Sequence, residues 1–256
     1  MKRSLLRVSV TVAMMASPAA FAREPGLDHT AWDTLLRRYV DEQGRVDYRA
    51  WHEEGRQTLE VYLQRLAETD SSRLPKKDEA LAFWINAYNA SVVTGALDHY
   101  PIASVKGVKG FFDRIRYRIA GRELTLNEIE GEGRALGDWR IHFAVVCASS
   151  SCPPLRAEAY AADRLDAQLA EQTRQFLNDP QRGLRIEDGT LWASKIFDWY
   201  ATDFIPAKEF GLFRQFPPEK LLGVLSAYYK SDVAPPRGRL TLKFMDYDWS
   251  LNAQHK

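Results

Sequence analysis

The sequence predicts an α+β fold, rich in helix, around a small mixed or antiparallel sheet. Three observations carry that reading. Helical patterns dominate the first hundred residues, Asp188-Gly189 sits between two short extended segments, and the apolar run Ile141 to Cys147 has the length of a buried strand. No repeat, long linker or composition break divides residues 23–256, which read as one globular domain.

The N-terminus reads separately from that domain. Met1-Lys2-Arg3, an apolar run from Val8 to Ala16 and the small-residue end Ala20-Phe21-Ala22 have the layout of a secretory signal peptide over residues 1–22. Arg23 then becomes the first mature residue, and the destination is periplasmic or secreted. The apolar run is about half of the ~20 residues a membrane span requires, and no later segment approaches that length. Removing residues 1–22 takes Lys2, Arg3 and Arg7 from 35 basic residues and nothing from 34 acidic ones, for a formal charge of −2. A near-neutral chain offers no electrostatic basis for binding nucleic acid.

From Asp28 to Val40, Trp32, Leu35, Leu36 and Tyr39 recur at helical spacing, with Asp28 or Thr30 as the cap. Gly44 follows its end, and Val46-Asp47-Tyr48 is a short extended piece. Thr58 to Ala67 is a second amphipathic helix, and Ser71 to Pro75 a polar loop. Asp78 to His99 is a long helix stopped by Pro101. It carries Trp84, Asn86 and Asn89; the two amides, three apart, share a face and need partners if buried.

Phe111 to Ile119 alternates and Gly121 turns the chain into Glu123-Leu124, which reads as a hairpin. Thr125-Leu126-Asn127-Glu128 matches the capping box, so a helix carrying Glu128 and Glu130 starts there. Asp163 to Leu177 is helical and ends at Asn178-Asp179-Pro180. Leu184 to Glu187 and Thr190 to Ser194 form a hairpin around Asp188-Gly189. Leu221 to Tyr229 is a last helix, and Phe244 to Leu251 a C-terminal strand.

Several separated motifs then line up in order. Phe83-Trp84-Ile85-Asn86-Ala87-Tyr88-Asn89, His142-Phe143-Ala144 through Cys147, Ser151-Cys152-Pro153-Pro154, Phe197 to Tyr200 with Asp203-Phe204, and Asp246 to Asn252 together resemble the domain-of-unknown-function family 547, across roughly residues 30–252. The resemblance implies a single domain, often exported in bacteria, and assigns no catalytic role. Where the family's short helix is expected to read Ile-Glu-His, this chain has Ile129-Glu130-Gly131, so no histidine acts at that position.

Chemistry concentrates between Ile141 and Pro154, which holds both cysteines. Four residues separate Cys147 from Cys152, a ring that a disulfide can close in an oxidising compartment. A Cys147 left as a thiol is instead a nucleophile, given a base nearby. On an extended strand His142 and Cys147 lie on opposite faces, roughly 16 Å apart, so they pair only if the chain bends. His99 is another possible base. Only His255 follows Cys147, against the order of papain-like enzymes, and no Gly-x-Ser-x-Gly elbow activates Ser149 to Ser151.

His142 equally fits a core histidine bonded to Asn86, Asn89 or Glu130. If these four converge they make a polar pocket floor, where burial raises the pKa of Glu130 and suits it to acid or base work. The candidate catalytic residues are therefore Cys147, His142 and Glu130, and the candidate binding residues Asn86, Asn89, Trp84 and Ser149. No metal-ligand or cofactor motif occurs. Asp246 and Asp248 share one strand face and read as solvated, while Phe197, Trp199, Tyr200 and Phe204 read as core rather than as a sugar platform. Two functions stay open: an exported envelope enzyme of hydrolase or acyl-transfer type acting on a small molecule or envelope component, and a non-catalytic ligand- or partner-binding module with a structural disulfide.

Overall fold

The computed structural model describes residues 27–74, 76–210, 216–230 and 240–254, so the leader expected over residues 1–22 and the tail residue His255 lie outside the described residues. Helix α1 (Thr30–Tyr39) buries Trp32, Leu35, Leu36 and Tyr39, and the Asp28 carboxylate accepts the Thr30 N–H at 2.9 Å. The extended piece expected at Val46 to Tyr48 shortens to a bridge at Val46. Asp47 accepts the Ala50 N–H and starts α2 (Tyr48–Ala50), which runs through a wider turn, Trp51–Gly55, into α3 (Arg56–Glu68).

Helix α4 (Lys77–Asp98) is the centre of the molecule, with every residue from Leu81 to Val93 buried. A helix apolar on all sides has no face to offer water, so the other elements must wrap it. Among the described residues, no helix is long and apolar enough to cross a membrane. Its two asparagines hold peptide groups of other segments. Asn86 donates to the Tyr160 carbonyl at 2.8 Å and accepts the Tyr160 N–H at 3.0 Å. Asn89 donates to the Ala144 carbonyl at 2.9 Å and accepts the Val146 N–H at 3.0 Å.

Strands β1 (Arg116–Ile119) and β2 (Arg122–Thr125) form the expected antiparallel hairpin, with Ile119 opposite Arg122. Its first arm begins at Arg116 rather than Phe111, because the N–H groups of Arg114 and Ile115 both turn back to the Gly110 carbonyl. The capping box opens α5 (Leu126–Arg134): the Thr125 hydroxyl accepts the Glu128 N–H and the Glu128 carboxylate accepts the Thr125 N–H. Gly133 lets α5 pack on Ile141, since a Cβ there would lie 2.6 Å from Ile141 Cδ1, while Trp84 Cβ of α4 would be at ordinary contact distance.

Beyond α6 (Leu165–Leu177), strands β3 (Leu184–Glu187) and β4 (Thr190–Ala193) pair antiparallel around Asp188-Gly189. Short helices α7 (Ile196–Trp199) and α8 (Ala201–Phe204) follow, then α9 (Pro218–Leu225), which begins and ends a turn earlier than its apolar pattern suggests. Strand β5 (Thr241–Phe244) pairs parallel with β4, making a three-stranded mixed sheet beside the separate hairpin. The fold is α+β and helix-rich, as the sequence predicts.

One expected strand is absent, and the C-terminal one ends at Phe244, where it is expected to begin. Ile141 to Cys147 is a 3₁₀ turn, Trp139–Phe143, followed by irregular chain. The run is apolar because it is buried between two clusters: Ile141 joins the one around α4, and Phe143 packs with Phe176, Phe197 and Phe204 in the other. Residues 245–251, expected within a strand, hydrogen-bond instead to the cysteine loop. Ser150 N–H donates to the Ser250 carbonyl, Ser151 N–H to that of Asp248, and Asn252 N–H to that of Ala148.

Replacing Asn89 by Ala strips partners from the Ala144 carbonyl and the Val146 N–H, each costing about 1–3 kcal/mol when buried. Denaturant titration should show a loss of about 2–5 kcal/mol, and a loss under about 1 kcal/mol would refute the clamp.

Candidate functional site

A cavity of about 240 Å³ opens between the two clusters, bordered by Glu130, His142, Cys147, Cys152, Tyr200 and Tyr247 among polar side chains. Tyr88, Phe112, Ile196, Trp199 and Trp249 supply much of its apolar wall. Because the 139–143 segment coils rather than extends, His142 and Cys147 border the same hollow, contrary to the opposite faces a strand would impose. Cys147 is held by its neighbours on both sides. Asn89 fixes the Val146 N–H before it, and Ala148 after it is buried with a left-handed φ of 58°, a conformation that costs ~1–3 kcal/mol and concentrates at functional sites.

Cys147 and Cys152 are free thiols in this structure, not the disulfide expected from their spacing. Cys147 Sγ is turned to the Ser149 hydroxyl at 2.9 Å and the Tyr247 hydroxyl at 3.3 Å, while Cys152 Sγ accepts the Cys147 N–H at 2.9 Å. Burial pushes the Cys147 thiol up, but hydrogen bonds from Cys152, Ser149 and Tyr247 outweigh it and bring the thiol down to about 7. Cys152 goes the other way. Burial, then the adjoining Cys147 sulfur, push it well above the usual thiol range.

His142 is 3% exposed and donates from Nε2 to Asp203 Oδ2 at 2.8 Å. Arg134 grips the same carboxylate through Nε at 2.8 Å and Nη2 at 3.1 Å, a bidentate pair. The His142 hydrogen bond and the Arg134 charge hold the Asp203 carboxyl well below the usual carboxylate range. The imidazole ring packs on Tyr200, with centroids 4.2 Å apart, and on Phe204 at 5.3 Å. Glu130 is 7% exposed; burial raises its pKa, opposed by the Tyr200 hydroxyl and the nearby His142.

The expected convergence on His142 is therefore partial. Glu130 shares the cavity with it, whereas Asn86 and Asn89 are committed to backbone groups and do not border the hollow. Trp84 lies under α5, against Phe83 and below the Arg122 guanidinium, and is likewise away from the cavity. Ser149 is in place on the Cys147 sulfur. His99 bonds the Gly95 carbonyl at the end of α4 and borders no part of the cavity. Of the aromatic group taken as core, Phe197 and Phe204 are buried, but Tyr200 lines the cavity and Trp199 stands at its edge, 48% exposed.

Asp203 and Tyr247 were not legible as site residues, although both sit in the motifs that carry the family resemblance. Asp246 and Asp248 are exposed, and no group of three or more potential ligands able to hold a metal occurs among the described residues. Gly131, in place of the expected histidine, has open space where a Cβ would stand and borders a second cavity with Arg134 and Asp203.

A family model described as "Protein of unknown function, DUF547" matches residues 72–177. Over that span the chain is similar to the family. The match takes in α4, α5, the cysteine loop and α6, a narrower stretch than the motifs alone suggest, and leaves out Asp203 and Tyr247. No curated protein and no solved structure matches the chain.

Iodoacetamide should label Cys147 with a rate that rises through a midpoint near pH 7, read by intact mass, while Cys152 stays unlabelled in the folded protein. Tyr247→Phe should move the midpoint upward. A wild-type midpoint at the free-thiol value of about 8.5 would remove the activated-thiol reading.

Proposed function

We propose that the chain is an exported enzyme of hydrolase or acyl-transfer type with Cys147 as nucleophile. The single observation that supports it most is a thiol with a lowered pKa at the wall of a cavity that also holds a histidine oriented by a carboxylate. In that reading the Cys147 thiolate attacks an acyl carbonyl carbon, and the carbonyl π pair moves to oxygen. Collapse breaks the bond to the leaving group, which takes a proton from protonated His142. The thioester is then released to water or to a second nucleophile, whose proton returns to His142, restoring the thiolate. With Nε2 held by Asp203, Nδ1 is the ring nitrogen left for that exchange.

Envelope location rests on the leader's charge, apolar run and Ala-x-Ala end. A second reading keeps the cavity and drops the chemistry: a ligand- or partner-binding module whose Cys147 and Cys152 thiols are oxidised to a disulfide after export by a thiol oxidant of that compartment, which takes up the two electrons and two protons. It draws on the two sulfurs sharing one wall, with the Cys147 N–H already on Cys152 Sγ.

With 4-nitrophenyl butanoate as probe, Cys147→Ala should abolish both turnover and the acyl adduct seen by mass, and His142→Gln should lower turnover about 100- to 10,000-fold. Absence of any adduct on the wild-type protein favours the binding module. N-terminal sequencing of the chain exported by a bacterial host should begin at Arg23; recovery with Met1 intact would remove the cleaved-leader proposal.

A further inference from the structure

The contents of the cavity restrict what it accepts. We infer that it selects a largely apolar acyl group without negative charge, of about ten non-hydrogen atoms or fewer, that carries a hydrogen-bonding group at its buried end, next to Glu130. This inference rests on the acyl-transfer reading of Cys147.

Size comes from the volume. An engineered apolar cavity of ~150 Å³ holds one benzene, so about 240 Å³ takes an acyl group half as large again before its chain must leave the hollow. Charge comes from the lining. Arg134 is committed to Asp203 and lies over the Tyr200 ring, Lys106 lies over the Trp249 ring, and neither borders the cavity. A carboxylate or phosphate on the acyl group would therefore be desolvated with no lysine or arginine on the lining to pair it. Phe112, Ile196, Trp199 and Trp249 instead offer apolar contact. Trp199, Tyr247 and Trp249 pack with interplanar angles of 32° to 55°, so they form a curved wall and not a flat stacking platform.

The hydrogen-bonding end comes from Glu130. Its side chain borders the cavity, and its Oε1 is buried with no hydrogen-bond partner. A buried polar atom without a partner costs free energy that a bound group able to bond it would recover. Burial raises its pKa, and a hydroxyl can donate to Oε1 whether the carboxyl is neutral or ionised, so a hydroxyl fits better than an anion.

The test is acylation of Cys147 by 4-nitrophenyl esters, followed as 4-nitrophenolate release and as the thioester mass on the intact protein. Butanoyl and octanoyl esters should react at least tenfold faster, in kcat/KM, than hexadecanoyl or succinyl esters. The 6-hydroxyhexanoyl ester should outpace its equal-sized heptanoyl partner severalfold, and Glu130→Leu should bring that ratio close to one in whatever acylation remains. Equal or better rates with the long or negatively charged acyl groups, or a hydroxyl advantage that is missing or survives Glu130→Leu, would overturn the inference. In those cases acylation of Cys147 still stands. No acylation by any ester would sink the nucleophile reading and this one together.

Discussion

Leu81 to Val93 of α4 meet almost no solvent, so any polar side chain on that stretch must find its partners inside the protein. Asn86 and Asn89 meet the requirement in the same way, each placing both ends of its amide on the main chain of a distant segment. The effect is to bolt residues 144–146 and 160 against the helix, as a β-ladder would, without a strand being present. Cys147 follows directly from the bolted segment. Its position, the left-handed Ala148 and the turn back to Cys152 are all set from that anchor.

Two sulfurs five residues apart have opposite fates because burial and hydrogen bonding compete differently at each. At Cys147 the donors from Ser149, Tyr247 and Cys152 exceed the desolvation cost; at Cys152 desolvation prevails and the neighbouring sulfur adds to it. The histidine beside them is oriented, and its carboxylate partner is in turn gripped by Arg134, so the ring has little freedom to turn. The His142–Asp203 hydrogen bond links the two hollows, since His142 borders one and Asp203 the other.

The helices and both hairpins were readable because their signals are local: apolar spacing at α1, α3 and α6, the capping box at Thr125, and Asp188-Gly189 between β3 and β4. The Ile141 to Cys147 run was not, since a short segment buried on all sides has the same composition whether it extends or coils. As a strand the run would set His142 and Cys147 on opposite faces, whereas both border the cavity. The asparagines' main-chain partners lie 55 to 74 residues away and leave no local signal. The cysteine loop and Glu130 were legible by residue chemistry. Asp203 and Tyr247 were not, because their roles arise from contacts 61 and 100 residues away in the chain.

Those long separations bear on how the molecule assembles. The Ser150–Ser250 and Tyr48–Asn252 bonds close loops of 100 and 204 residues, so the segment carrying Tyr247 and Trp249 adds to a core whose helices form from near neighbours. Closure entropy places such contacts late on the folding route and early among partial openings. In the nascent and unfolding chain the sulfur therefore lacks one of its three side-chain partners, and gains it only when the remote tyrosine docks.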